Sequence, residues 1–170
     1  MKIEAAVAAL KSMPDALEKR LAGLSEAQLR YKPGPDSFSA LENVCHLRDI
    51  EVEGYACRLR LMLETENPVL PDLDGSTLAK ARRYNEQLLA PALETFVIAR
   101  RGNLQRLAAA TPADLARRGR FENVGDVTLE RLLELWVEHD QEHIRELDEL
   151  LRTLCEPART PKPSLSLARG

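Results

Sequence analysis

Apolar residues recur with the 3.6-residue period of an amphipathic helix along four long stretches, separated by proline- and glycine-rich breaks. The first stretch covers about residues 2–24. Pro14 interrupts it and Ser12 stands where it would cap a restart, which predicts a kink or two short helices. Ser25-Glu26-Ala27-Gln28 is a small capping box and predicts one further turn. The second stretch covers about 39–66, and the capping box Ser39-Ala40-Leu41-Glu42 opens it. The third covers about 76–110, after Asp74-Gly75-Ser76, with a kink predicted at Pro91 because the ring removes one backbone donor. The fourth covers about 127–155, with the apolar line Leu129, Leu132, Leu133, Trp136, Ile144, Leu147, Leu151 and Leu154. The segments Lys32-Pro33-Gly34-Pro35-Asp36 and Asn67-Pro68-Val69-Leu70-Pro71-Asp72 are breaks, and about 111–126 is predicted as a loop.

Four helices with one apolar face each must bury those faces against one another, so the fold class is all-α, a four-helix bundle with short extra helical turns. The connections are not all tight turns, which leaves room for a crossover. Residues 1–155 form the expected domain. Residues 156–170, with Pro157, Pro161 and Pro163 and no periodicity, form a Pro-rich tail predicted to be disordered.

Composition narrows the function. Apolar residues make up 44% and charged residues 30%, a globular balance. Twenty-four Lys and Arg against 27 Asp and Glu leave a net charge of −3, with no electrostatic footprint for nucleic acid or an anionic membrane. There is no apolar run of the roughly 18 residues a membrane span needs. The N-terminus does not read as a signal peptide. Cys45, Cys57 and Cys155 are an odd count at unrelated spacings, which points to a reducing cytoplasm rather than a disulfide framework.

The candidate chemistry lies in three histidines, His46, His139 and His143. His139 and His143 stand i, i+4 on the fourth helix, which puts their Cβ atoms roughly 6 Å apart on one face. That face also carries Leu132, Trp136, Leu147 and Leu150, so it points into the bundle. Two imidazoles so placed can converge on one metal ion, and left without partners they meet a desolvation penalty. His46 falls on the second helix in the line Asn43, His46, Ile50, Cys57. The competing reading is that His46 lines a polar pocket and the pair sits at the wet end of the bundle. No cysteine stands where it could complete a ligand set: Cys45 points about 100° away from His46, and Cys57 lies roughly 16 Å along the helix.

The segment from Lys32 to Glu51, with Phe38-Ser39 at its entry, then Glu42, then His46-Leu47 followed by Asp49 and Glu51, resembles the start of the second helix in the DinB-like superfamily. His139-Asp140-Gln141-Glu142-His143 resembles that family's HDxxH signature on the last long helix, and Arg58 and the 67–74 loop fit its layout. The resemblance spans about residues 1–153. It implies an up-down-down-up bundle and a divalent metal, nickel or zinc, on His46, His139 and His143, and it implies a homodimer. It also implies a small-molecule substrate and, as the favoured activity, transfer involving a low-molecular-weight thiol (a thiol S-transferase). The alternatives are a metal-dependent hydrolase, or a non-enzymatic metal-binding, stress-related interaction protein.

Three neutral imidazoles leave coordination positions open, as in catalytic rather than structural sites. Asp49, Glu53, Asp140 and Glu142 lie within one or two turns of the histidines and are candidates to orient them, against the plainer reading of helix-surface charge. Arg58 could anchor a substrate anion or form a surface ion pair. No Gly-rich phosphate loop, GxSxG elbow or CxxC pair is present, so nucleotide-driven and serine-triad chemistry are not expected.

Overall fold

A computed structural model describes residues 3–155. The tail predicted over 156–170 lies outside the described residues. The elements run α1 (Ile3–Leu21), α2 (Glu26–Arg30), α3 (Ala40–Asp49), a π-helical turn (Ile50–Tyr55), α4 (Ala56–Glu64), β1 (Val69–Leu70), α5 (Gly75–Ala81), α6 (Leu89–Ala108), β2 (Arg118–Phe121), β3 (Gly125–Thr128) and α7 (Leu129–Cys155).

The four long helical runs form a four-helix bundle, and cross-helix contacts give its direction. Arg20 of α1 bonds Asp148 of α7, while Ala9 and Ser12 lie beside Val137 and Asp140, so α1 and α7 run parallel. Asn43 meets His143, and Glu51 meets Trp136, so α3 and α7 run antiparallel. In the apolar core Ala6 and Leu10 share a cluster with Leu107, whereas Met13 and Leu17 share one with Ala92 and Phe96; α1 and α6 are therefore antiparallel. The arrangement is up-down-down-up.

The capping boxes at Ser25 and Ser39 are both formed. Each satisfies backbone donors at a helix start through the residue's own side chain, which is why four residues of sequence suffice to reveal it.

Other boundaries differ from the periodicity. Helix α1 is unbroken through Pro14, and Ser12 caps nothing: its hydroxyl donates to the Ala9 carbonyl. Pro14 leaves the Leu10 carbonyl without its normal helical donor, and the buried Arg100 guanidinium of α6 supplies one at 2.9 Å. The third stretch is not one kinked helix but α5 and α6, separated by a left-handed Arg83 (φ 51°) and a short 3-10 turn over Tyr84–Glu86. Pro91 falls in the first turn of α6, where its missing N–H would have no helical acceptor.

The predicted 111–126 loop instead contains a β-hairpin. Strand β2 pairs antiparallel with β3 and parallel with β1, giving a three-stranded sheet of order β1-β2-β3. Burial alternates along Arg118–Phe121, and Asn123 and Gly125 take positive φ at the turn. Phe121 and Val127 close the bundle end around Leu70 and Met62.

The inward line on the second stretch holds at Asn43, His46 and Ile50 but fails at Cys57, which is only half-buried. The π-helical turn rotates every later residue about the axis, so Arg58, Leu59 and Met62 take the interior positions. Among the described residues no helix is long and apolar enough to cross a membrane.

Candidate metal centre

Helix α3 begins at Ser39, which places Asn43 one turn and His46 two turns into the helix, both facing α7. Helix α7 delivers His139 and His143 from consecutive turns to the same point. Each histidine offers one ligand-capable atom to a group lying within 4.8 Å of one another. Nitrogens on a tetrahedral ion with bonds of about 2.0–2.1 Å sit roughly 3.4 Å apart, so the cluster is of the right size.

The hydrogen bonding fits a cation. Nε2 of His46 and Nε2 of His139 face each other at 3.1 Å. Two neutral rings can satisfy that contact only if one of them donates, whereas a cation between them accepts a lone pair from both. The Nδ1 atoms of His46 and His139 are buried without a hydrogen-bond partner. His143 Nδ1 lies 2.7 Å from the Asn43 side-chain oxygen and 3.1 Å from Glu146 Oε2. Asn43 directs its amide nitrogen to the Ser39 carbonyl, so its oxygen accepts from His143 Nδ1–H. That tautomer leaves the Nε2 lone pair free, and a partner of this kind is typical around metal-bound histidine.

Burial, and secondarily the neighbouring His143 and His139, push the His46 imidazole down to about 3. Burial also lowers His139. Both rings are therefore neutral near pH 7, the form a metal requires. The depressed values stabilise the metal-free fold above the unfolded value of about 6.5 and withdraw that stability as pH falls toward the folded values. Metal-free protein is expected to melt at steadily lower temperature from pH 7 to pH 4. Scanning fluorimetry across that range checks it, and the slope should flatten in His46→Ala.

Of the carboxylates considered from sequence, Asp140 comes nearest, with Oδ1 3.8 Å from His139 Nδ1. Burial pushes Asp140 up, but His139 and Arg100 outweigh it and hold the carboxyl below its usual range. Asp49 is turned the other way, engaged by Arg48, Arg82 and the Tyr84 hydroxyl. Glu53 bonds Arg82, and Glu142 is exposed. Arg58 is not a surface residue: it is 3% exposed, donates from Nε to the Pro71 carbonyl, and lies 4.3 Å over the Phe121 ring. Cys45 is buried against Tyr84 and Gln87, away from the histidines, and its thiol is pushed up to about 11 mainly by burial.

Several residues around the cluster escaped the sequence reading. Asn43 appeared there only as a position on the inward line, and Glu146 not at all. The i, i+3 spacing from His143 to Glu146 was the available signal. A buried network behind His139 was also missed. Arg100 pairs with both Asp140 and Glu51, while Asn103 and the Trp136 indole bond Glu51. In front of His143 a cleft of about 530 Å³ opens, lined by Phe38, Asn43, Ser76 and Leu150 with Asp36, Glu146 and Glu149 at its walls. None of its lining residues is a lysine or arginine.

Comparison with known proteins places this arrangement. The sequence profile of the DinB superfamily matches residues 9–147. No curated protein matches the chain. Among solved structures, one of YfiT from Bacillus subtilis, "a probable metal-dependent hydrolase with an unusual four-helix bundle topology", superposes with a TM-score of 0.81 at 21% identity. The match covers 89% of this chain and 86% of that one.

Proposed function

The chain belongs to the DinB superfamily, and from that premise we propose that it is a metal-dependent enzyme, a hydrolase, built on His46, His139 and His143. The observation that carries this reading is the convergence of three imidazoles within 4.8 Å of one another, one of which, His143, lines a cleft of about 530 Å³. A pocket of that size suits a small molecule. The likeness to YfiT, whose description names a hydrolase, supports the same reading.

A divalent ion held there, nickel or zinc among the candidates, supplies Lewis acidity, polarising a substrate oxygen and acidifying water. The protein's own part is orientation and field. Asn43 fixes the His143 tautomer. Phe38 and Leu150 give the cleft apolar surface that excludes water from one side of a bound substrate. Glu146, held below the usual carboxylate range chiefly by its bond to His143, stays ionised at neutral pH.

A low-molecular-weight thiol as co-substrate is the second reading, favoured by the family resemblance of the His46 and His139–His143 segments. Asp36, Glu146 and Glu149 disfavour the parts of a carboxylate-bearing thiol that lie away from the metal, since no lysine or arginine lines the cleft to offset them. The two readings separate in one assay series. Metal-loaded protein is expected to cleave a neutral or cationic ester or amide, to stop with chelator, and to recover with added metal. Conjugation of a thiol to a chloro-nitroarene, with no hydrolysis of any ester or amide, reverses the assignment.

A further inference from the structure

We propose that Gly75 is a positioning residue for the metal centre, and that the strap Pro71–Gly75 holds it against His46. The inference rests on the metal-binding reading above.

Nothing in the backbone requires glycine at this position. Gly75 is the first residue of α5, and it is not among the glycines with positive φ. Asp74 makes the turn into the helix by accepting from the Ser76 and Thr77 backbone N–H groups. Glycine is the poorest helix former after proline, so local structure alone would favour almost any other residue.

The reason lies across the gap. A Cβ on Gly75 would stand 2.3 Å from His46 Cε1, 2.5 Å from Nδ1 and 3.6 Å from Nε2, and no other residue comes closer than these atoms. The bare Cα therefore forms the wall behind the imidazole, whose Nε2 faces His139. His46 has little room to yield. It is 8% exposed, with ring centroids of Phe38, His139 and His143 at 5.5, 5.3 and 4.5 Å. A methyl group at Gly75 forces the ring out of the cluster or the strap off the ring.

The strap is anchored at its other end. Arg58 donates to the Pro71 carbonyl at 2.8 Å, and the Asp72 backbone N–H donates to Glu122 at 2.9 Å. This gives the buried Arg58 a function: it holds the segment that backs the metal centre, without touching the cleft. Gly102, in the middle of α6, is the natural control, since a Cβ there meets nothing within 4 Å.

The test measures zinc affinity by chelator competition, together with long-range ¹H–¹⁵N spectra of the histidine rings in metal-free protein. In Gly75→Ala, zinc affinity should fall at least tenfold and the His46 ring resonances should move. In Gly102→Ala both should be unchanged and the melting temperature should rise. In a His46→Ala background, Gly75→Ala should no longer destabilise, because the colliding ring is gone. Parental zinc affinity in Gly75→Ala, or an unmoved His46 signal, overturns the proposal. If the parent binds no zinc yet the His46 signal moves in Gly75→Ala, the metal reading fails while the steric contact stands.

Discussion

Replacing His143 by alanine is expected to abolish stoichiometric divalent-metal binding while leaving the helical fold in place. Removing one of three ligands forfeits roughly a third of the coordination, on the order of 10²–10³-fold in affinity or more, given typical zinc-site binding energies. Asn43→Ala should fall between parent and His143→Ala. It removes only the acceptor that fixes the His143 tautomer, and such partners are worth about 10–100-fold. Thermal shift gives a second readout. A ligand at a hundred times its Kd adds about 2.7 kcal/mol, so metal should raise the parent's melting temperature by roughly 5–11 °C. That rise should vanish in His143→Ala. Elemental analysis of untagged protein checks the stoichiometry, and retention of one metal per chain in the variant would disprove the three-histidine site.

The second large effect lies behind the histidines. Arg100 is 1% exposed and its guanidinium answers two buried carboxylates, Glu51 and Asp140, as well as the Leu10 carbonyl. Arg100→Met keeps volume but leaves both carboxylates without their cation. Breaking a buried pair in this way costs about 3–5 kcal/mol, or roughly 6–20 °C for a domain of this size. The deficit should depend on pH. Burial already pushes Glu51 above its usual range, with Arg100 and Asn103 opposing. Without Arg100 its folded-state value rises further above the unfolded value of about 4.3. A raised carboxyl is tolerated while protonated and destabilises as pH climbs through the unfolded value. The variant's deficit should therefore be larger at pH 8 than at pH 5. Thermal melts at the two pH values decide it, and equal deficits would show that lost packing, not uncompensated charge, is the cause.

The features legible from sequence are those whose cause is local. The capping boxes at Ser25 and Ser39 satisfy their own backbone within four residues, so reading the residues is reading the structure. The i, i+4 spacing of His139 and His143 fixes a shared face on any α-helix, and the apolar residues around them aim that face inward. The bundle follows because four amphipathic faces have few ways to be buried together. What tertiary structure decided concerns groups that meet across the chain. Pro14 predicts a kink or two short helices, but α1 is continuous, and Arg100, 86 positions later in the chain, supplies the donor that the Leu10 carbonyl lacks. Asp49 looked poised to orient His46, yet Arg48, Arg82 and Tyr84 claim it. The ring that does gain a partner is that of His143, because antiparallel packing of α3 on α7 brings Asn43 to it. Gly75 reads locally as part of a turn, and only the His46 ring against its Cα explains why it carries no side chain. Periodicity records which face a residue occupies, whereas partnership depends on how two faces are aligned, and that alignment exists only once the helices have packed.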